Sequence, residues 1–207
     1  IRVSYERLFL NSESRSNLSG PMREYIDKDP KNKRPVQSAR IDPKTVQMGY
    51  LANQIVGISR ALMRCTELQQ LFIANSPITS ELFFRDIDPE SPFYGENLRW
   101  ENCTSLTDVE IYNCPKLTAL PMDMLANLPE IQMLNVACNP GISGAQLKAD
   151  WETLIEGVAG EKIQLIYMGF NNLEETPSHE MLKRMKKLSA LDLSNNKLRV
   201  IYPFGKE

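Results

Sequence analysis

The side chains able to do chemistry are few: one histidine, His179, and four cysteines, Cys65, Cys103, Cys114 and Cys138. A hydrolase triad would have to recruit His179 as its base, yet neither a Ser or Cys nucleophile motif nor a glycine-rich elbow accompanies it. The ring is expected in the solvated first turn of a short helix, behind Ser178 as the cap. Phosphate-loop and dinucleotide glycine patterns are missing from the sequence, as is any His/Cys/Asp set at metal-ligand spacing, so no metal and no other cofactor is expected. Asp86 and Asp88 stand on a loop without the periodic oxygen ligands and central glycine of a calcium loop. The expected protein is not an enzyme.

The cysteines follow a different rule. Cys65 and Cys103 each stand three residues before a leucine, in the similar strings Arg64-Cys65-Thr66-Glu67-Leu68 and Asn102-Cys103-Thr104-Ser105-Leu106. No two cysteines are spaced as zinc ligands, and small buried thiols are the simplest reading. A bridge between Cys65 and Cys103 stays open, and the redox compartment with it.

Those leucines begin a phrase written six times. Its clearest copy is Leu188, Leu191, Leu193, Asn196 and Leu198, with apolar residues at positions 1, 4, 6 and 11 and asparagine at position 9. Ile163, Ile166, Met168, Asn171 and Leu173 fit the same frame. Two further copies, Ile131-Leu134-Val136-Asn139-Ile142 and Leu106-Val109-Ile111-Cys114-Leu117, carry one extra residue after Pro140 and Pro115. Leu68, Leu71, Ile73, Ser76 and Ile78 make a fifth, its asparagine displaced to Asn75, and a degenerate sixth starts at Thr45 with Met48, Tyr50, Asn53 and Ile55. The phrase resembles the leucine-rich repeat.

Positions 4 and 6 alternate like a strand with one buried face, and the position-9 side chain suits bonds to backbone amides where the chain turns inward. One apolar stripe per unit is too small to bury alone, so the units must stack and each contribute a strand to a parallel sheet. The expected fold is α/β: a curved leucine-rich-repeat solenoid, with the sheet on the concave face and helices and loops on the convex one. Starts at 45, 68, 106, 131, 163 and 188 give spacings of 23, 38, 25, 32 and 25, of which the two long ones locate insertions.

The 32-residue spacing is expected to hold a lengthened helix over 146–157, with Leu147, Trp151, Leu154 and Val158 toward the core and Gly160 as its stop. Ile58, Ala61, Leu62 and Cys65 have helical spacing too. Ser178, Met181, Leu182 and Met185 form another helix, with Lys183, Arg184, Lys186 and Lys187 on its outer face and end. The 38-residue spacing contains an aromatic insertion at 80–100, with Phe83, Phe84, Phe93, Tyr94 and Trp100, read chiefly as a plug under a longer convex excursion.

Residues 1–43 do not fit the phrase and are expected as an N-terminal cap, partly ordered, with a short strand within Val3 to Leu10; residues 44–207 are the array. After Leu198 no polar cap is visible, so further repeats, or another molecule against that edge, are expected. The chain begins at Ile1 without a signal peptide, which places any export signal or lipid anchor upstream. At 42% hydrophobic and 24% charged, with net charge −2, the composition suits a folded chain without a membrane span or a nucleic-acid footprint.

Positions 3, 5 and 7 alternate with the core positions and must line the concave face, with position 8 beside them. They gather Phe72, Asp108, Glu110, Tyr112, Met133, Asn135, Leu165, Tyr167 and Phe170. In the first unit position 5 falls on Gly49. An outward apolar and aromatic stripe marks a binding face, and Asp108 with Glu110 gives it an acidic centre suited to a basic group. The competing reading hides part of the stripe under the N-terminal segment.

Met48-Gly49-Tyr50-Leu51-Ala52-Asn53-Gln54-Ile55 and the string from Tyr112 to Pro121 are similar to those in surface or secreted leucine-rich-repeat proteins of gut Bacteroides-type bacteria. That resemblance, over about 45–207, implies a cell-envelope or secreted location and a protein or host-surface ligand. The expected function is therefore a non-catalytic module that binds a protein or peptide on its concave sheet. A structural spacer in a larger adhesin and the recognition half of a multidomain effector enzyme are the alternatives.

Overall fold

The computed structural model describes residues 2–4, 48–52, 68–83, 95 and 103–203. Seven strands are present among them: β1 (Arg2–Ser4), β2 (Met48–Ala52), β3 (Gln70–Ala74), β4 (Asp108–Tyr112), β5 (Met133–Asn135), β6 (Leu165–Tyr167) and β7 (Ala190–Asp192). They form one parallel sheet whose spatial order is the order in sequence. Every return path therefore carries the chain back to start the next strand beside the last, which is the stacked array that the phrase requires.

Register tests the phrase frame residue by residue. Gln70 pairs with Asp108, Asp108 with Met133, Met133 with Leu165 and Leu165 with Ala190, so position 3 lies beside position 3 in all five later units. The first unit differs. Gly49, not Met48, pairs with Leu71, and Tyr50 pairs with Phe72, which moves the start from Thr45 to Val46. Because Met48, Tyr50, Leu51 and Ala52 are apolar on both parities, alternation alone could not choose between frames one residue apart; pairing with β3 does. β1 adds a further strand at this edge, Val3 beside Gly49.

Alternation of burial follows. Leu71, Ile73, Val109, Ile111, Leu134, Val136, Ile166 and Met168 are buried, while the residues between each pair, Phe72, Glu110, Asn135 and Tyr167, are half-buried. Each fully buried Leu, Ile or Val contributes about 1.5–3 kcal/mol over its exposed state. At the β7 edge of the sheet Leu191 and Leu193 are only half-buried.

Position 9 ties one coil to the next. Asn139 donates through Nδ2 to the carbonyls of Ile111 (2.7 Å) and Val136 (2.9 Å), while its Oδ1 accepts the backbone N–H of Cys114 at 2.8 Å. Asn171 repeats this with Val136, Met168 and the N–H of Asn139, and Asn196 with Met168, Leu193 and the N–H of Leu173. Without these amides the inward turn would bury unpaired backbone groups. In the earlier coils a thiol and a hydroxyl hold the place, Cys114 Sγ lying 3.5 Å from the Tyr112 carbonyl and Ser76 Oγ donating to Ala74 at 2.9 Å.

Among the described residues three helices, α1 (Met122–Leu125), α2 (Gly144–Glu156) and α3 (His179–Leu182), and two 3-10 turns, Ser80–Phe83 and Val158–Glu161, lie on the return paths. Ser143 caps α2 by accepting the Gln146 N–H at 3.2 Å, and Leu147, Trp151, Leu154 and Ile155 are buried. The helix stops at Gly157, not at Gly160. A Cβ on Gly157 would lie 2.3 Å from the Ala126 carbonyl, so only glycine allows α2 to end against α1. Beyond it the chain tightens into the 3-10 turn, and Val158, expected in the core, is instead 52% exposed. Ser178 caps α3 as expected, though α3 is a single turn and Lys183, Arg184, Lys186 and Lys187 lie exposed from its end onward.

Of the insertion, the structure describes only Ser80–Phe83 and Gly95; the side chains of Phe83, Phe84, Phe93, Tyr94 and Trp100, and the helix expected around Ile58–Cys65, lie outside the described residues. Ser80 anchors the start of the insertion to the following coil, its Oγ accepting the N–H groups of Thr118 (3.0 Å) and Ala119 (2.9 Å).

Candidate binding face

The concave face is set by position parity. All nine expected face residues alternate with core positions in β3 to β6 or follow them directly: Asp108, Met133 and Leu165 at position 3, Phe72, Glu110, Asn135 and Tyr167 at position 5, Tyr112 at position 7 and Phe170 at position 8. Neighbouring strands set equivalent residues about 4.8 Å apart. Phe72, Glu110, Asn135 and Tyr167 therefore form one continuous row, with Asp192 as its next member. The row is half-buried rather than freely exposed, because the strands draw its side chains against one another. Tyr112 (38%) and Phe170 (57%) are its exposed large hydrophobic residues.

Hydrogen bonds hold the polar members in place. Asn135 Oδ1 accepts the Ala137 N–H at 3.1 Å, and Asp192 Oδ1 accepts the Ser194 N–H at 2.8 Å. Asn135 is also the register partner of Glu110 across the β4–β5 boundary. Thr107 Oγ1 donates to Asp108 Oδ2 at 2.6 Å.

Electrostatics differ along the row. Burial pushes Glu110 above the usual carboxylate range; the bond from Asn135 opposes the shift and the charge of Asp108 adds to it. Asp192 is held below that range by hydrogen bonds from the hydroxyl and N–H of Ser194. The Tyr112 phenol is pushed above its ordinary value, chiefly by the neighbouring Cys138. Cys138 is half-buried, not buried as the sequence suggests, whereas Cys103 and Cys114 are buried and burial pushes the Cys114 thiol up. Cys65 lies outside the described residues.

The exit from each strand has a backbone conformation that the repeat phrase does not announce. Among the described residues the non-glycine ones with positive φ are Asn75 (50°), Asn113 (50°), Cys138 (59°), Phe170 (56°) and Asn195 (52°), and each of these stands at position 8. The chain leaves each strand through the left-handed region so that position 9 can turn inward. Asn tolerates that conformation; an exposed Phe there is strained. The only signal in the sequence is the recurrence of asparagine at position 8, to which the displaced Asn75 belongs.

Away from the face, His179 does not stand solvated as expected: its ring is half-buried, with Nδ1 2.7 Å from the Pro203 carbonyl. Asp150, on α2, is a buried carboxylate that accepts the Leu120 N–H at 2.9 Å and a bond from Gln146 Nε2 at 2.8 Å. No group of three or more His, Cys, Asp or Glu among the described residues could hold a metal ion. Nor is any helix among them long and apolar enough to cross a membrane.

This geometry recurs in solved structures. A leucine-rich repeat protein from Bacteroides thetaiotaomicron shares 42% identity with the chain at a TM-score of 0.67, over 98% of this chain and 25% of that one. One from Bacteroides eggerthii shares 40% at the same TM-score, over 98% of this chain and 34% of the other. The chain is a bacterial leucine-rich-repeat protein. An LRR protein of Leptospira interrogans, at 17% identity and a TM-score of 0.54, shares the fold alone. The repeat protein described here thus spans about a quarter and a third of the length of its two Bacteroides relatives. No family model and no curated protein matches the sequence significantly.

Proposed function

We propose that this repeat protein is a non-catalytic recognition module that binds a protein or peptide along its concave sheet, at the cell envelope or after secretion. The observation that carries the reading is the row from Phe72 to Tyr167 with Tyr112 and Phe170 exposed beside it. Stability does not call for an aromatic in the left-handed position 8, where three other coils use asparagine. Rigid strands hold these side chains at fixed spacing, so a partner meets them without an ordering cost on this side. Aromatic anchors on such a surface typically dominate binding energy.

The test compares wild type with a Tyr112→Ala/Tyr167→Ala/Phe170→Ala variant in capture of envelope-fraction proteins, followed by cross-linking and mass spectrometry. The expected result is a partner whose cross-links map to residues 108–170 and which the variant releases while keeping the wild-type melting temperature. A partner retained by the variant, or cross-linked through α1, α2 and α3, would assign binding elsewhere. A spacer role, which agrees with the small share of the relatives that the chain spans, predicts no difference between the two proteins.

A further inference from the structure

The concave face carries charge of one sign. At positions 3, 5 and 7 from β3 to β7 stand Asp108, Glu110 and Asp192 and not one Lys or Arg, although the chain as a whole holds 24 basic residues against 26 acidic ones. Asp108 and Glu110 are two apart on β4, so both lie on the same face, with their Cα atoms about 6.6 Å apart at the usual strand rise. The ion pairs of the described residues, Lys148 with Glu152 and Glu175 and Lys183 with Glu180, include neither.

Their surroundings are equally specific. Phe72 is the register partner of Glu110 on β3, and Tyr112 is two residues beyond Glu110 on the same strand. Thr107 donates to one oxygen of Asp108, and Asn135 is the register partner of Glu110 on the other side. Two carboxylates on one strand, followed along it by the exposed ring of Tyr112, match a planar guanidinium, which offers several N–H donors in a fork and stacks on aromatic faces; an ammonium offers a point charge.

We propose that the occupant of this face is an extended peptide segment whose arginine side chain seats on Asp108 and Glu110 beside the exposed ring of Tyr112. The proposal rests on the concave-face reading above and names the partner's chemistry. Flanking apolar residues of the segment would lie over Met133, Leu165 and Tyr167, in the direction of β6. Seating the cation relieves the repulsion between the two carboxylates, which no ion pair among the described residues offsets.

The experiment selects short random peptides displayed on phage against the intact chain, then synthesises the recovered sequences with arginine, lysine or citrulline at the shared basic position. The expected outcome is enrichment of arginine flanked by apolar residues. Citrulline, and Glu110→Gln or Asp108→Asn in the protein, should each weaken binding by about tenfold or more. Peptides that bind equally well with citrulline or lysine, or after scrambling at constant charge, would overturn the arginine assignment. If those peptides are still lost in the Tyr112→Ala/Tyr167→Ala/Phe170→Ala variant, the binding face survives and only its ligand chemistry is wrong. An empty selection, or peptides indifferent to that variant, counts against both. Because citrulline is placed on the peptide, the comparison with arginine does not depend on the folding of any protein variant.

Discussion

The backbone N–H of Asn139 donates to Asn171 Oδ1 at 2.7 Å, so each position-9 amide closes the turn of the coil before it. Inside the array such a rung is dry, Asn139 being fully buried, whereas Asn196 near the β7 edge is half-buried.

Asn139→Ala would strip partners from the Cys114 N–H and the Ile111 carbonyl, both inside the stack. Leaving buried groups unmet costs about 1–3 kcal/mol each, so a loss of about 3 kcal/mol is expected in urea unfolding. Asn196→Ala, where water reaches the same groups, should lose about 1 kcal/mol. Equal losses at the two positions would show that the ladder is not what sets their importance.

Asp150 ties stability to pH. Burial raises its carboxyl above the ordinary 3.8, against the bonds from Leu120 and Gln146. The folded state therefore holds the proton more tightly than the unfolded state does. The group's contribution is complete below 3.8 and is lost as pH rises through the folded value. Asp150→Asn keeps an acceptor for the Leu120 N–H and removes the titration. Its stability against wild type should improve steadily from acid to neutral pH, whereas Asp150→Ala, which also removes the acceptor for the Leu120 N–H, should lie about 1–3 kcal/mol below Asp150→Asn at every pH. A difference between Asn and wild type that is flat with pH would refute the assignment.

Phe170 occupies the left-handed region at φ 56° in a place where Asn75, Asn113 and Asn195 stand at 50°, 50° and 52°. Phe170→Asn should stabilise the chain by about 1 kcal/mol by relieving that strain. The same substitution should weaken partner binding. A variant that is both less stable and fully competent to bind would remove the case for Phe170 as an anchor.

The repeating phrase determined most of the architecture, because its positions 4, 6 and 9 each meet one physical demand and five copies meet them in the same order. Leu71, Val109, Leu134, Ile166 and Leu191 could be assigned to one inward row, and Glu110, Asn135 and Tyr167 to the opposite one, from period-2 alternation alone. Alternation fails where both parities are apolar. The frame of Met48–Ala52 was fixed only by pairing against Gln70–Ala74. Helix ends were likewise decided by close approach: Val158 continues the helical spacing of Leu154, but the Ala126 carbonyl beside Gly157 ends α2 first and turns Val158 outward. The same holds for the left-handed exit at position 8, the half-burial of the face and the bond between Asn139 and Asn171. These arise between coils distant in sequence, from how closely stacked strands press their side chains together, and a local pattern of residue types carries no record of that distance.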